Sequence, residues 1–556
     1  MTTELSSYNR HAISSTASSQ EANDPLVRLV LRRHPLYEAM SKHWMFMDDT
    51  YSGGREWFNH HIFKYIKEGD SEFKDRISRA YRFNHTREVV DLINKYLFKQ
   101  EITRNKVDAP ADVVKFWKNC TKSGLTIDDF VRQISKKTSI YGRIGVVIDM
   151  DAVSEDQRPL NKREEKEAGL SAYAYIITPL QMLDYSFDDH GKLNWMLIHE
   201  VVRDDEDPLN STGKAIHRFR LWTKTEWKLF EKQNDDQNGK ITIKEIDRGS
   251  NTIGEVPIIL ADNIISDEEY SAPSLIDDIA YLDRAVANYL SNLDAIIQDQ
   301  TFSQLAMPVQ GMLPGDESEK KLIEMGTKRL FTYDGSDGAK PYYLSPDVKQ
   351  ADLIIQVVTK IINEIYHTVG LAGERTKQDN AVGIDNSSGV AKAYDFERVN
   401  ALLAAKADSL EAIENKIVDL VCKRHGVKLK EDSTPLVSYP DNFDTRGLYD
   451  EFDIAARLML IDAPETIRRH QMESIVEKLF PQLSKALKDE MLRDLKNWPT
   501  DPLEELTNRT TDTTGEGNLK RNITRSSSGA PTKPSSNSST KANKKTRQGQ
   551  VTESTS

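Results

Sequence analysis

The stretch Asn234-Asp-Asp236-Gln-Asn238-Gly239-Lys-Ile-Thr-Ile-Lys-Glu245 comes closest to a metal-binding pattern. Oxygen ligands at alternate positions, a glycine for the sharp turn and a closing glutamate are what an EF-hand calcium loop uses. Its first position is Asn, which removes one charge, and Ile241-Thr-Ile-Lys-Glu-Ile246 alternates like a strand. Asn238-Gly239 therefore reads better as the turn of a hairpin. The pair His60-His61 lacks the i, i+4 spacing that sets two imidazoles on one helix face. The chain holds no G-x-x-x-x-G-K-[ST] phosphate loop, no H-E-x-x-H, no G-x-S-x-G and no G-x-G-x-x-G. Its acids are scattered along helical stretches as solvated faces rather than paired as in a nuclease. The expectation is a chain with no catalytic site, no cofactor and no metal.

Such a chain must act through shape and surface. At 556 residues it is too long for one compact core and should divide into modules. Hydrophobic residues are 38% and charged residues 29%, with a formal net charge of −12. An acidic balance argues against tight DNA binding by the bulk surface, but not against DNA passing nearby. Cys120 and Cys422 are too few for a disulfide framework and read as small buried hydrophobes. No apolar run reaches membrane-spanning length, and the first residues lack the apolar core of a signal peptide. The protein is expected to work in the cytosol where it is made.

Residues 1–28 are Ser/Thr-rich and expected to be disordered. Helical periodicity dominates from His34 to Leu97, interrupted at Gly53-Gly54. Residues 107–138 read as helical, with Thr126 as an N-cap. Ile140 to Asp149 reads as a buried strand. Strands are predicted at Tyr173–Ile177, Trp195–Val201, Arg218–Thr223, Trp227–Phe230 and Ile241–Ile246. Past Ser271-Ala-Pro273, apolar residues fall at Leu275, Ile279, Leu282, Val286, Leu290, Leu293 and Ile297, one stripe of a long helix. Asp277, Asp278, Asp283 and Asp294 are assigned to its opposite face.

An insert of short strands and one helix, Ser318–Met325, follows at 302–345. A second helix carries Leu353, Val357, Ile361 and Ile365 as its stripe. After it comes a polar stretch, 371–388, too long for an ordinary connection and so a functional candidate. The longest helix follows, lined by Phe396, Val399, Leu403, Leu410, Ile413, Ile417 and Leu420 and stopped at Gly426. A helical module at 446–500 opens new helices at Pro464 and Pro481. The region 501–556 has no periodicity and is expected to be disordered. From Gly517 it holds eight Lys and Arg residues against Glu553 alone, a net +7 that suits an acidic partner or a merely solubilising tail.

Helix, small insert, helix, long loop and longest helix, in that order, resemble the core of tailed-bacteriophage portal proteins. Ile140-Tyr-Gly-Arg-Ile-Gly-Val-Val-Ile-Asp149 resembles the family's "YG" strand. Thr178-Pro-Leu-Gln-Met-Leu-Asp-Tyr185 is similar to a turn of its wing, and Asn251-Thr-Ile-Gly-Glu-Val-Pro257 to the segment entering its stem. The resemblance implies an α+β, multi-module portal fold. Its parts would be a mixed α/β wing (29–270), stem helices (271–301 and 346–370), a small α/β clip (302–345) and a channel loop (371–388). A long wing helix with its return segment (389–445) and a helical crown (446–500) would follow, with disordered termini.

It implies further a homo-oligomeric ring, as a rule a dodecamer, at the unique capsid vertex of the virion, assembled in the host bacterial cytoplasm. Double-stranded DNA would pass through it non-specifically during packaging and ejection. Implied partners are the major capsid protein, scaffold, the terminase large subunit and a head–tail adaptor, with no membrane. Glu374, Arg375, Lys377, Gln378, Asp379 and Asn380 would be the loop's DNA contacts. Asp316, Glu317, Lys320, Lys321 and Glu324 would form the docking surface of the clip. Asp277, Asp278, Asp283 and Asp294 would line the channel, where negative walls keep a phosphate polymer from sticking. A scaffold or adaptor without a channel would also explain the helices, but not the long loop before the longest one.

Overall fold

The computed structural model describes residues 24–66, 68–150, 171–234, 241–268, 270–301, 304–308, 330–333, 340–344, 348–371, 389–427, 435–440, 443, 465–479 and 491–495. These are helices and sheets in segregated runs, an α+β chain, and they divide into units Met1–Thr445 and Arg446–Ser556. In the second unit, α11 (Glu465–Leu479) begins directly after Pro464 and buries Ile475.

The first unit opens with helices α1 (Pro25–Leu31), α2 (Pro35–Ser52), α3 (Arg55–His61), α4 (Asp70–Arg79) and α5 (His85–Leu97). Helix α1 lies partly inside the span expected to be disordered. Asp24 caps it by accepting from Leu26 N at 2.9 Å, Pro25 occupies its first position, and Val27 and Val30 are buried against a sheet. Two valines three residues apart behind an Asp-Pro start were signal enough, hidden by the serines before them.

Helices α6 (Ala111–Lys118) and α7 (Ile127–Tyr141) follow the short β1 (Thr103–Arg104). Thr126 caps α7 as expected, accepting from Asp129 N at 3.3 Å. The strand expected from Ile140 starts three residues later. Ile140 and Tyr141 end α7, Gly142 turns the chain at φ 80°, and β2 runs from Arg143 to Met150. Gly142 is needed twice over, since a Cβ there would lie 1.8 Å from the carbonyl oxygen of Ala272.

Strand β2 is the middle of a three-stranded antiparallel sheet with β3 (Ala172–Ile177) and β9 (Ile258–Asp262). Strands β4 (Met182–Phe187), β5 (Leu193–Arg203), β6 (Ala215–Thr223), β7 (Glu226–Asn234) and β8 (Ile241–Ser250) form a second, antiparallel sheet in sequence order. Strand β4 was not foreseen. Only its first residues after the turn at Thr178–Gln181 were read, and as part of that turn. Strands β7 and β8 pair from Asn234↔Ile241 onward, with Glu245 opposite Phe230. The calcium-like segment is thus flanked by hairpin strands rather than by helices.

Helix α8 (Ile279–Thr301), β10 (Gln304–Pro308), β11 (Leu330–Tyr333), β12 (Tyr342–Leu344), α9 (Val348–Thr368) and α10 (Gly389–Arg424) complete the unit, with β13 (Val437–Ser438) pairing β1. Strand β10 lies between β11, parallel to it, and β12, antiparallel. One large core joins α2, α5, α6 and α7 to the β2 sheet and to all three long helices. The α9 stripe is displaced at its start. Leu353 is 61% exposed, while Val358, Ile362, Ile365 and Val369 are buried.

Gly142→Ala combines positive φ with a backbone clash and should cost more than about 3 kcal/mol. A urea melt of the variant should show a much lower midpoint; an unchanged midpoint would mean the turn is not held as described.

Candidate functional site

The candidate site is the helix pair α8 and α9, which pack along one another, with α10 at their root. Ser274 and Asp277 start α8 reciprocally. Ser274 Oγ accepts from Ile276 N at 3.1 Å, and the Asp277 carboxylate accepts from Ser274 N at 2.9 Å. Asp277 also meets His43 Nε2 at 3.0 Å, while His43 Nδ1 lies 3.0 Å from Tyr281 OH. Burial raises the Asp277 pKa, but the bonds from His43 and Ser274 outweigh it and hold it low.

Further along, α8 is fastened to helices α2–α5. Asp283 is completely buried and accepts from Thr86 N at 3.2 Å and Thr86 Oγ1 at 2.8 Å. Arg82 stands 3.5 Å from it and 3.9 Å over the Trp57 ring. Burial depresses the Arg82 pKa, offset in part by Asp283. Arg76, buried, donates to Ser291 Oγ at 3.0 Å, to Phe63 O at 2.7 Å and to both Glu68 oxygens at 2.7 and 2.8 Å. The hydrogen bond to Glu68 raises the Arg76 pKa and lowers that of Glu68. Asn288 accepts from Phe63 N and donates to His61 O, and Arg79 reaches Asp294 at 3.2 Å.

This corrects the expected acidic face. Asp283 cannot face a channel, because its carboxylate is sealed against α5. Asp277 and Asp294 are bound to His43 and Arg79 of the same protomer, with side chains 39% and 25% exposed. Asp278 alone of the four is exposed. The open strip of α8 otherwise carries Tyr281 and Tyr289. Aspartates scattered along a helix look solvated in sequence; here Asp283 and Asp294 are opposite arginines, and Asp277 opposite a histidine, contributed from more than two hundred residues upstream.

Helix α9 is tied to the same segment. Tyr366 OH donates to Glu88 Oε2 at 2.5 Å and lies 3.1 Å from His85 Nδ1. It ends in a Schellman turn, with Gly370 at φ 76° and Leu371 N bonded to Tyr366 O at 2.8 Å. Val369-Gly370 was the readable signal for that stop. Glu374, Arg375, Lys377, Gln378, Asp379 and Asn380 lie outside the described residues, as do Asp316, Glu317, Lys320, Lys321, Glu324 and the expected Ser318–Met325 helix.

Helix α10 holds two buried charges at the phase of its apolar stripe, between Leu403 and Ile417. Lys406 donates to Ser139 Oγ at 2.9 Å and to Asn263 Oδ1, and burial lowers its pKa to about 7. Glu414 accepts from Arg104 Nε at 2.6 Å and from Tyr439 OH at 2.8 Å. Burial works against the Arg104 charge, but Glu414 and Asp128 outweigh it and raise its pKa. Asn415 pairs with both backbone groups of Val437, and Glu411 accepts from Tyr439 N at 2.8 Å. The helix thereby holds segment 435–439 with side chains acting as a strand would.

Burial pushes the Cys120 thiol up to about 12 and Cys422 to about 11, so both behave as inert core residues. Among the described residues no group of three or more His, Cys, Asp or Glu is placed to hold a metal ion, and no helix is long and apolar enough to cross a membrane.

Asp283→Ala should destabilise the chain by about 3–5 kcal/mol, because it leaves Arg82 buried without its partner; chemical denaturation reads this directly, and a loss below 1 kcal/mol would contradict the buried pairing. Lys406 gives a signed pH effect. Between about pH 7 and the ordinary lysine range the unfolded chain holds a proton that the folded chain lacks, so wild-type stability rises with pH there. Relative to Lys406→Met, which lacks this titration, the wild type should gain up to about 1.4 kcal/mol per pH unit between pH 7 and 9. Parallel stability curves for the two proteins would refute it.

Comparison with known proteins accords with this architecture. The model of the family "Phage portal protein, SPP1 Gp6-like" matches residues 39–436, from within α2 to the edge of β13. No curated protein sequence matches significantly. Similar chains occur in solved assemblies, two of which follow. The neck of an empty gene transfer agent particle shares 10% identity at a TM-score of 0.35, covering 68% of this chain and 90% of that one. The virion of a native gene transfer agent particle shares 10% at 0.34, covering 75% and 99%. The family match spans well over half of the chain, and the protein belongs to the SPP1 Gp6-like phage portal proteins.

Proposed function

We propose that the chain is the subunit of a portal ring at the unique vertex of a phage capsid, a conduit for double-stranded DNA in packaging and ejection. The observation that carries this is the family match over a chain whose helix pair and longest helix are locked to one buried framework. The family is structural rather than enzymatic.

In this reading 29–270 is the wing, α8 and α9 the stem, 302–345 the clip, 371–388 the channel loop, 389–445 the long wing helix with its return, and 446–500 the crown. Asp316, Glu317, Lys320, Lys321 and Glu324 would serve terminase and the head–tail adaptor. Glu374, Arg375, Lys377, Gln378, Asp379 and Asn380 would meet DNA. Scaffold and major capsid protein complete the partners, and twelve subunits the ring. Of the stem acids, only Asp278 keeps an open carboxylate for the bore. What supports a sliding channel is then the Tyr281–Tyr289 strip, whose own side chains are uncharged and whose neighbouring Arg284 is stacked on the rings of Phe46, Phe63 and Tyr281.

Purified full-length protein should form rings with a central hole by negative-stain microscopy. Monomers at every protein and salt concentration would end the proposal in favour of a channel-free adaptor. Within such rings, Arg375→Ala with Lys377→Ala should leave assembly intact and lower DNA packaged per particle several-fold. Unchanged packaging would remove the loop from the DNA path.

A further inference from the structure

We infer that helix α1 is a pH-released strap. Docked on the β4–β8 sheet at neutral pH, it lets go on acidification, because His199 on the strapped face takes a proton readily only once Arg33 has moved away. The inference does not depend on the ring reading.

The strap is weakly held. Seven residues are too few for a helix to persist in water, so α1 exists only where it is docked. Val27 and Val30 are its fully buried side chains, and with Phe219, Phe230 and their neighbours they form a cluster separate from the large core. Arg32 adds an ion pair to Asp184 and lies 5.0 Å from the Trp195 ring centre, but its side chain is 58% exposed and so largely screened by water. A segment with so few buried contacts opens locally well before the whole unit unfolds. His34 is the fixed point behind it, with its N bonded to Leu183 O at 3.0 Å and its ring 3.8 Å from that of Tyr270.

The sensor lies on the same sheet face. His199 of β5 stands opposite Phe219 of β6, and their rings stack at 5.0 Å. His217, two residues before Phe219, stacks on His199 at 5.2 Å, with its Nδ1 3.0 Å from His199 Nε2. His199 is 9% exposed. The charged and titratable groups that face it are His217 from β6, Arg33 from the α1–α2 junction and Lys232 from β7. Each opposes a second positive charge. Burial first, and then these three groups, lower the His199 pKa to about 3. The acids of the neighbourhood, Asp184 and Glu38, act on Arg33.

Arg33 couples sensor to strap. Its Nη1 donates to Val30 O at 2.8 Å and to Arg32 O at 2.7 Å, closing the last turn of α1, while its charge raises the cost of protonating His199. When α1 leaves, Arg33 leaves with it, and His199 regains water and an ordinary value near 6.5. The sign follows. Above about pH 6.5 His199 is neutral in both forms, and docking has its full strength. Between about 6.5 and 3 only the released form binds the proton, so docking weakens by up to about tenfold per pH unit as pH falls.

Hydrogen exchange of the full-length protein, read by mass spectrometry and corrected for intrinsic rates, tests this at about pH 7.5 and 5.5. The protection factor of residues 25–33 should fall about tenfold between the two, while that of β2 (Arg143–Met150) stays the same. His199→Gln removes the titration and should hold α1 protection constant. Protection of α1 that ignores pH in the wild type, or falls equally in His199→Gln, would overturn the inference. A parallel fall in β2 would overturn it too, since the whole unit would then be opening. Should the variant fail to fold, the two wild-type segments decide alone.

Discussion

A pair of antiparallel helices cannot bury both of its faces by itself, and α8 and α9 cover only one side of each other. Everything else in the first unit answers that deficit. Residues 76–88, the end of α4 and the start of α5, supply Arg76, Arg79, Arg82, His85, Thr86 and Glu88, which meet α8 at Ser291, Asp294 and Asp283 and α9 at Tyr366. Buried ion pairs contribute little net stability, because desolvation offsets most of the attraction. Their effect here is registration. Asp283 Oδ2 meets Thr86 and Arg82 at only one axial position of α8 against α5; one turn away the carboxylate would be an unpaired buried charge. The apolar stripe tolerates sliding and the polar contacts forbid it.

Registration has a consequence for any channel. Charge used to fix α8 inside its own protomer is no longer available to a bore. A phosphate polymer sticks where cations displace its counterions, so a wall needs an absence of exposed lysine and arginine more than a presence of carboxylate. Along α8 the one arginine, Arg284, is stacked over Phe46, Phe63 and Tyr281, so its guanidinium is held on aromatic rings at the edge of the open strip. Neutral tyrosines can then do what acids were expected to do.

Periodicity made the helices, most strands and the order of long helix, insert, helix and longest helix legible before any coordinates. Those signals are local, repeating every two or 3.6 residues, and survive without knowledge of partners. Contacts across long separations were not legible. Nothing near Asp283 announces Arg82, and nothing near Tyr366 announces His85. Some of the missed residues did leave a mark. Lys406 and Glu414 stand at the phase of Leu403, Leu410 and Ile417, where a charge must be buried and partnered. Strand β4 was lost because its apolar residues follow a turn directly, and Leu353 was placed in the stripe because a step of four from Val357 also carries an apolar residue, although the buried stripe runs through Val358.

Helix α10 links the α8–α9 pair to the rest of the first unit. Its 36 residues span about 54 Å as a straight rod. Near its first third Val399 and Leu403 join the core shared with α9; near its last third Glu411, Glu414 and Asn415 grip Val437 and Tyr439. Between them Lys406 is bonded to α7 and to the end of β9. A rod pinned at three stations by different chemistry, apolar contact, the hydrogen bonds of a buried lysine, and a carboxylate and amide grip, cannot rotate about its axis without breaking one of them. Displacement where 371–388 enters it must then appear as translation or tilt, felt by the β2 sheet and by segment 435–443 together. A subunit so built responds to load at its centre as one body, and compliance is left to the junctions between copies.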